Sequence, residues 1–195
     1  VVVADKGLNS GDNVAFLMAK GDGFIFSQKI RGADQELKTY ALDPAGYIEK
    51  EGVIKTADGK HCKKPVFLMK SRPFPQEFWV TYAGGKKRRV PLDVKQIVCY
   101  NELYARQQKH KRAGVLEKAQ KIIAQPKRYS KQEAGGALRY VKNIDYNRET
   151  GECIKIKRVP QLNLEKIAED EKYDGYYAII TSELDMPDHG VVRTY

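Results

Sequence analysis

Few residues in this chain have types and spacings that could do chemistry. The first is Asp5, in VVVADKGLNSGDN, where a short β-branched apolar run ends in a carboxylate and turns away at Gly7. A carboxylate at the end of a strand is a short, stiff oxygen ligand of the kind a hard divalent cation such as Mg²⁺ takes. The second group is basic: Lys86, Lys87, Arg88 and Arg89 follow a Gly-Gly pair as AGGKKRR. Lysine and arginine in such a run suit phosphate, which they contact without reading base sequence. His61, His110 and His189 do not cluster with Cys62, Cys99 and Cys153, and no CxxC pair occurs. That spacing argues against a zinc site or a disulfide framework and fits a reducing cytosol.

The charge is unevenly spread. The 195 residues carry +10 overall, yet residues 86–131 alone hold 14 Lys or Arg against 3 acids. The rest of the chain has 21 basic and 22 acidic residues, and residues 162–188 are acidic, with 8 acids against 2 lysines. Such polarity predicts one surface facing a polyanion rather than a uniformly basic protein. Beyond the KKRR run, the phosphate-contacting candidates are Arg106, Lys109, Lys111, Arg112, Lys118, Lys121, Lys127 and Arg128. No apolar run approaches the roughly 20 residues of a bilayer-spanning helix, so no membrane partner is expected.

The elements that must position these groups follow from hydrophobic periodicity. Residues 1–4 predict a short buried strand. Ser10 predicts the cap of a helix carrying Val14, Ala15, Leu17 and Met18, stopped by the GDG at 21–23. Residues 24–30 predict a second strand, so the three elements form a βαβ unit with a parallel pair. Asp34 caps a second helix through Leu42. Segments 47–56, 64–72, 78–82, 88–92 and 96–100, punctuated by Gly, Pro and Asp as in AGG at 83–85 and ADG at 57–59, predict an antiparallel meander or small barrel. Trp79, Phe74, Phe78 and Tyr82 are expected to pack it. A long helix follows, capped by Asn101 and ended by Pro126. It has Tyr104, Val115, Leu116, Ala119, Ile122 and Ile123 on one side and Arg106, His110, Lys118 and Lys121 roughly opposite. A hairpin over 140–156 around NRETGE, an acidic helix over 162–171, a buried strand in GYYAIITSEL and a helix started by Pro187 complete the chain.

VVVADKGLNSGDN, GFIFSQKIRGAD and KYDGYYAIITSELDMPDHGVVRTY, with YVKN at 140–143 between them, carry a resemblance. The chain resembles the DDE transposases of bacterial insertion sequences, in the branch whose ribonuclease-H-like core is interrupted by a β-rich insertion. The implied fold class is α/β (α+β): a partial ribonuclease-H-like core over 1–45, a β-rich insertion with the long basic helix over 46–172, and the return core strand with the start of a final helix over 173–195. In that family two Asp and one Glu bind divalent metal. Asp5 matches the second Asp, and Tyr195 matches the Tyr that precedes the Glu in the Tyr-Arg-Glu-Lys signature. The strand bearing the first Asp and the helix bearing the Glu have no counterpart here, so the resemblance implies an internal fragment.

The implied activity of the parent is DNA strand cleavage and strand transfer by in-line attack with two Mg²⁺ or Mn²⁺ ions. The implied partners are transposon ends and target DNA, in the bacterial cytoplasm at the nucleoid, with homodimerisation through an incomplete core. A fragment with one carboxylate is expected to be inactive, to hold no metal tightly, and at most to bind DNA. A different class, a non-enzymatic basic DNA-binding module, accounts for the same charge block without using Asp5.

Overall fold

The structure, a computed structural model, describes all of the chain except residues 6, 56–58, 60 and 155–158, with the backbone alone at 54–55 and 63–65. The turn expected at 57–59 therefore lies, but for Gly59, outside the described residues, as do Thr56 and Ile156. The protein is mixed α/β and forms two compact units, Val1–Glu102 with Gly175–Tyr195, and Leu103–Asp174.

The first unit is built on a six-stranded mixed sheet. Its strands are β1 (Val2–Ala4), β2 (Phe24–Gln28), β3 (Ile48–Lys55), β4 (His61–Thr81), β5 (Lys87–Asn101) and β8 (Tyr176–Thr181), in the order β1-β2-β8-β5-β4-β3. β1 and β2 pair in parallel, with Val2 opposite Phe24 and Ala4 opposite Phe26. Helix α1 (Gly11–Ala19) connects them, and the Ser10 hydroxyl accepts from the Asn13 N–H at 3.3 Å, which satisfies one of the helix's orphan donors. Asp34 does the same for α2 (Gln35–Leu42), accepting from Leu37 N–H at 2.9 Å. The buried Lys70 closes α2 from its C-terminal side, donating to the carbonyls of Asp43 and Ala45. All remaining strand pairs are antiparallel.

Strand alternation separates two apolar layers. Phe24, Phe26, Phe78, Val80, Val94 and Ile180 face Val14 and Leu17 of α1 on one side of the sheet. Ile25, Ile97, Cys99 and Ile179 face Val191 of α6 (Asp188–Thr194) on the other. Both faces of β2, β8 and the inner end of β5 are therefore buried, which is why these strands read as continuous apolar runs.

Two expectations change here. The first strand is not buried: Val2 and Val3 are 37% and 41% exposed, and only Ala4 is inside. β1 is an edge strand with one neighbour among the described residues, so its outer side lacks cover. The expected antiparallel meander is present as β3-β4-β5, but the five short segments do not stay separate within it. They merge into three strands of the same sheet, two of them 21 and 15 residues long. Pro73, Pro75 and Pro91 had suggested breaks. Each lies where its strand has a single partner, beyond the reach of β3 (paired to Met69) or β8 (paired from Lys95), and there a missing N–H costs no ladder bond.

The second unit gathers around α3 (Glu102–Ala124). Ala119 and Ile122 pack with Ala134, Ala137 and Tyr140, while Val115 and Leu116 border them. Tyr104, which the helical wheel placed on this side, is 38% exposed. α4 (Lys131–Ala134) opens with a capping box between Ser130 and Glu133. A two-stranded ladder, β6 (Val141–Lys142) with β7 (Gln161–Leu162), encloses the NRETGE turn, where Tyr146 bridges Cys153. α5 (Leu164–Glu171) follows, capped by Asn163. Among the described residues, no helix is long and apolar enough to cross a membrane.

Candidate functional site

Asp5 sits one residue past β1, where the next register partner is Ser27 of β2. The Ser27 hydroxyl, itself buried, donates to Asp5 Oδ1 at 2.8 Å while the Asp5 residue is exposed. One carboxylate oxygen is thus oriented by a fixed neighbour. Ser27 alternates with Phe26 and so shares the face of Ile25, the face on which α6 packs. The entry of α6 is held to that face by its first residue. Asp188 accepts from Ser71 Oγ at 2.5 Å and lies 3.2 Å from Lys95 Nζ. Lys95 also donates to the carbonyls of Leu184 and Met186. Asp12, the other early carboxylate, accepts from the Thr81 N–H at 2.6 Å and from the Thr81 hydroxyl, tying α1 to β4. Gly11 permits that approach: a Cβ there would stand 2.1 Å from the Trp79 carbonyl oxygen.

The donor set can be tested against the metal that the resemblance implies. Asp5 has the right chemistry for Mg²⁺ or Mn²⁺, but among the described residues no group of three or more His, Cys, Asp or Glu comes together. Among the described residues, Asp5 is therefore not joined by the further carboxylates that a two-ion site needs.

The basic candidates fall into two groups, one in each unit. Lys86, Lys87, Arg88 and Arg89 lie at the tip of a two-stranded ribbon made where β4 and β5 run past their outer neighbours. The turn at Ala83–Gly85 needs positive φ at Gly84 and Gly85, both 76°, which glycine adopts without strain. Contrary to the packing expected of them, Trp79 and Tyr82 are 55% and 49% exposed. Arg89 stacks on Trp79 at 4.9 Å while bonding Glu77 at 3.0 Å, and Arg88 lies 5.7 Å from the Tyr82 ring. Phe78 is buried as expected, with Phe74 packed beside it.

In the second unit, Arg106, Lys109, Lys111, Lys118 and Lys121 are exposed on α3, and Lys127 and Arg128 follow its end. Lys121 pairs with Glu117 at 2.7 Å, and Arg128 donates to Gln125. Arg112 leaves this set. It is buried, with both guanidinium nitrogens 2.6 Å from the Asp174 oxygens and one 3.2 Å from Glu171. The Asp174 hydrogen bonds lift its pKa above the ordinary arginine value even though burial opposes this. Its place was legible: Arg112 precedes Leu116, Ala119 and Ile123 by four, seven and eleven residues, so it belongs to the apolar stripe.

Sequence reasoning also missed a line of polar groups, buried at Gln96 and half-buried at Arg72, Gln28 and Gln76. Arg72 Nε donates to Gln96 Oε1 at 2.9 Å, Gln96 Nε2 to Gln28 Oε1 at 2.8 Å, and Gln28 Nε2 to Gln76 Oε1 at 3.3 Å. Their signal is polarity in an apolar phase, since these residues alternate in step with Phe26, Phe74, Phe78 and Val94. Comparison of the chain with protein-family models, with curated proteins and with solved structures finds no match.

Proposed function

We propose that this chain is part of the catalytic domain of a DDE-type transposase with a ribonuclease-H-like core, contributing one metal-binding carboxylate, Asp5, to a site completed by residues outside it. One observation carries the reading. A carboxylate oriented by Ser27 stands at the C-terminal end of a parallel βαβ strand, on the sheet face that carries α6. Strand ends are where open α/β sheets present their reactive groups. The fixed entry of α6, through Ser71, Lys95 and Asp188, adds support, because the resemblance expects a second carboxylate further along that helix. The exposed ribbon tip and the exposed cations of α3 supply phosphate contacts to DNA.

The test is plasmid cleavage by the longer polypeptide read from the same frame, with Mg²⁺ or Mn²⁺. Asp5→Ala should lower cleavage about a hundredfold or more, since a metal's charge stabilisation is worth several kcal/mol. DNA binding should persist. Cleavage that survives Asp5→Ala rejects the assignment, as does cation-dependent cleavage by this chain alone. The ribbon tip, with its stacked arginines, needs no carboxylate and favours a second reading: a non-enzymatic DNA-binding module. That reading prevails if Asp5→Ala changes nothing while tip substitutions abolish binding.

A further inference from the structure

We propose that Asp12 is a positioning residue that couples the DNA grip of the basic ribbon tip to the placement of Asp5. The inference rests on the proposed reading for the tip's partner and for the role of Asp5. All the residues it uses belong to the first unit.

The ribbon and the carboxylate meet through the start of α1. Asp12 puts both of its oxygens on one ribbon residue: Oδ1 accepts from the Thr81 N–H at 2.6 Å and Oδ2 from the Thr81 hydroxyl at 3.1 Å. Thr81 is the last residue of β4 and lies opposite Lys87, and the N–H of Tyr82 donates to the Lys86 carbonyl. Arg88 and Arg89 lie opposite Val80 and Trp79. Each cation of the tip is thus paired with a residue of 79–82, the stretch that Gly11 and Asp12 meet. Toward the carboxylate, the Asp5 carbonyl accepts from the Leu8 N–H at 2.9 Å. The Leu8 carbonyl accepts from the Ser10 N–H and from the Asn13 side-chain amide, both at 2.8 Å. Ser27 then holds the carboxylate itself. The path from Lys87 to Asp5 runs through Thr81, Asp12, the first turn of α1 and Leu8.

Two comparisons separate this role from a plainer one. A first-turn Asp is favoured by the helix dipole whatever it touches, yet this one engages both oxygens with a residue 69 positions away. Packing of Phe78 and Val80 against Val14 and Leu17 already holds the ribbon to α1. Apolar contact is non-directional, however, and leaves the tip free to rock. Two directional bonds to the last ladder residue remove that freedom. The tip grips phosphates without regard to base, so a fixed link to the tip is what presents the strand to Asp5 in one geometry.

The experiment follows amide hydrogen exchange in the purified chain at low salt, with and without a short DNA duplex. The duplex should slow exchange in 79–89 and also in 8–13, there by about fivefold, the equivalent of one net hydrogen bond. Asp12→Ala should bind the duplex as tightly as the parent but confine the slowing to 79–89. Asp12→Asn keeps an acceptor for the Thr81 N–H and loses the charge, so it should restore the slowing in 8–13. Thr81→Val, which removes only the hydroxyl, should reduce that slowing and covers the case in which Asp12→Ala does not fold. In the longer polypeptide, Asp12→Ala should lower kcat for plasmid cleavage about tenfold or more at unchanged KM, as small misplacements of reacting groups do, and Asp12→Asn should recover it. No duplex binding, no slowing of 8–13 in the parent, equal slowing there in Asp12→Ala, or parental kcat in Asp12→Ala overturns the proposal. The transposase reading fails separately, on the Asp5→Ala result, and the exchange data decide the role of Asp12 without any cleavage.

Discussion

In the sheet unit, the interior is apolar on both sides of three strands: Phe24, Ile25, Ile97, Val98, Ile179 and Ile180 are all inaccessible to solvent. In residues 103–174, a small cluster around Ile122 and Tyr140 is accompanied by two buried ionic knots. One is Arg112 with Asp174 and Glu171. The other is Asp170, whose carboxylate accepts from Tyr140 at 2.8 Å and pairs with Lys166 at 2.9 Å. The contrast follows from composition. The sheet strands supply enough branched and aromatic side chains to drive folding by removing apolar surface from water. The second region is rich in charge, and it reaches a defined structure by satisfying a few buried ions completely. Such ions add little net stability compared with apolar replacements, but losing one partner is severe because its counter-charge stays buried.

Substitutions can break or sharpen this contrast. The largest effect should come from Arg112→Ala, which removes the buried guanidinium from between Asp174 and Glu171 and should cost about 4 kcal/mol. Loss of hydrogen-exchange protection across 103–174 would register it, and Arg112→Met should recover part of the loss if desolvation governs the knot. Next is Ile179→Ala at the centre of β8, expected to cost about 3 kcal/mol through transfer and cavity terms, read from urea unfolding. If the costs of Arg112→Ala and Ile179→Ala came in reverse order, the assignment of ionic and apolar support would be wrong.

A graded effect comes from pH. Burial pushes the Asp170 carboxyl up, but hydrogen bonds from Lys166 and Tyr140 and the charges of Lys166 and Arg139 outweigh it and leave the pKa below the ordinary value. Its stabilisation is therefore complete above the unfolded pKa, about 3.9, and is lost as pH falls through the lower folded value. Acid unfolding of 103–174 should be less steep in Asp170→Asn than in the parent. The smallest effect on stability belongs to the ribbon tip. Lys86→Ala with Lys87→Ala should change it by less than about 0.5 kcal/mol. The same pair should flatten the slope of log affinity for DNA against log salt by about 0.9 for each phosphate no longer neutralised.

Local features were legible where local physics decides them. Ser10 and Asp34 cap helices as their types and positions dictate, and the strand-helix-strand spacing of residues 1–28 forced a parallel pair. The strand at 176–181 and the acidic helix at 164–171 were equally plain. The β-rich middle misled because proline was read as a stop, although its cost depends on whether a neighbour needs the missing N–H. Exposure misled in the same way: Val2, Val3 and Trp79 are apolar, yet they lie on an edge strand and on the uncovered face of a ribbon.

By itself, the sequence determined the parallel βαβ start, the carboxylate at its strand end, and the concentration of positive charge in residues 86–131, because these depend on residue type and short spacing. Tertiary structure alone decided which partners the charges meet. It gave Arg112, which spacing already put on the apolar stripe, Asp174 as its counter-ion, tied Lys95 to Asp188, and left Lys86 and Lys87 exposed beside Trp79 and Tyr82. It also aligned Arg72, Gln96, Gln28 and Gln76, which come from three strands and are separated by up to 68 residues. The reason is that partners distant in sequence become neighbours only through sheet register, and register is set by the burial of both faces together.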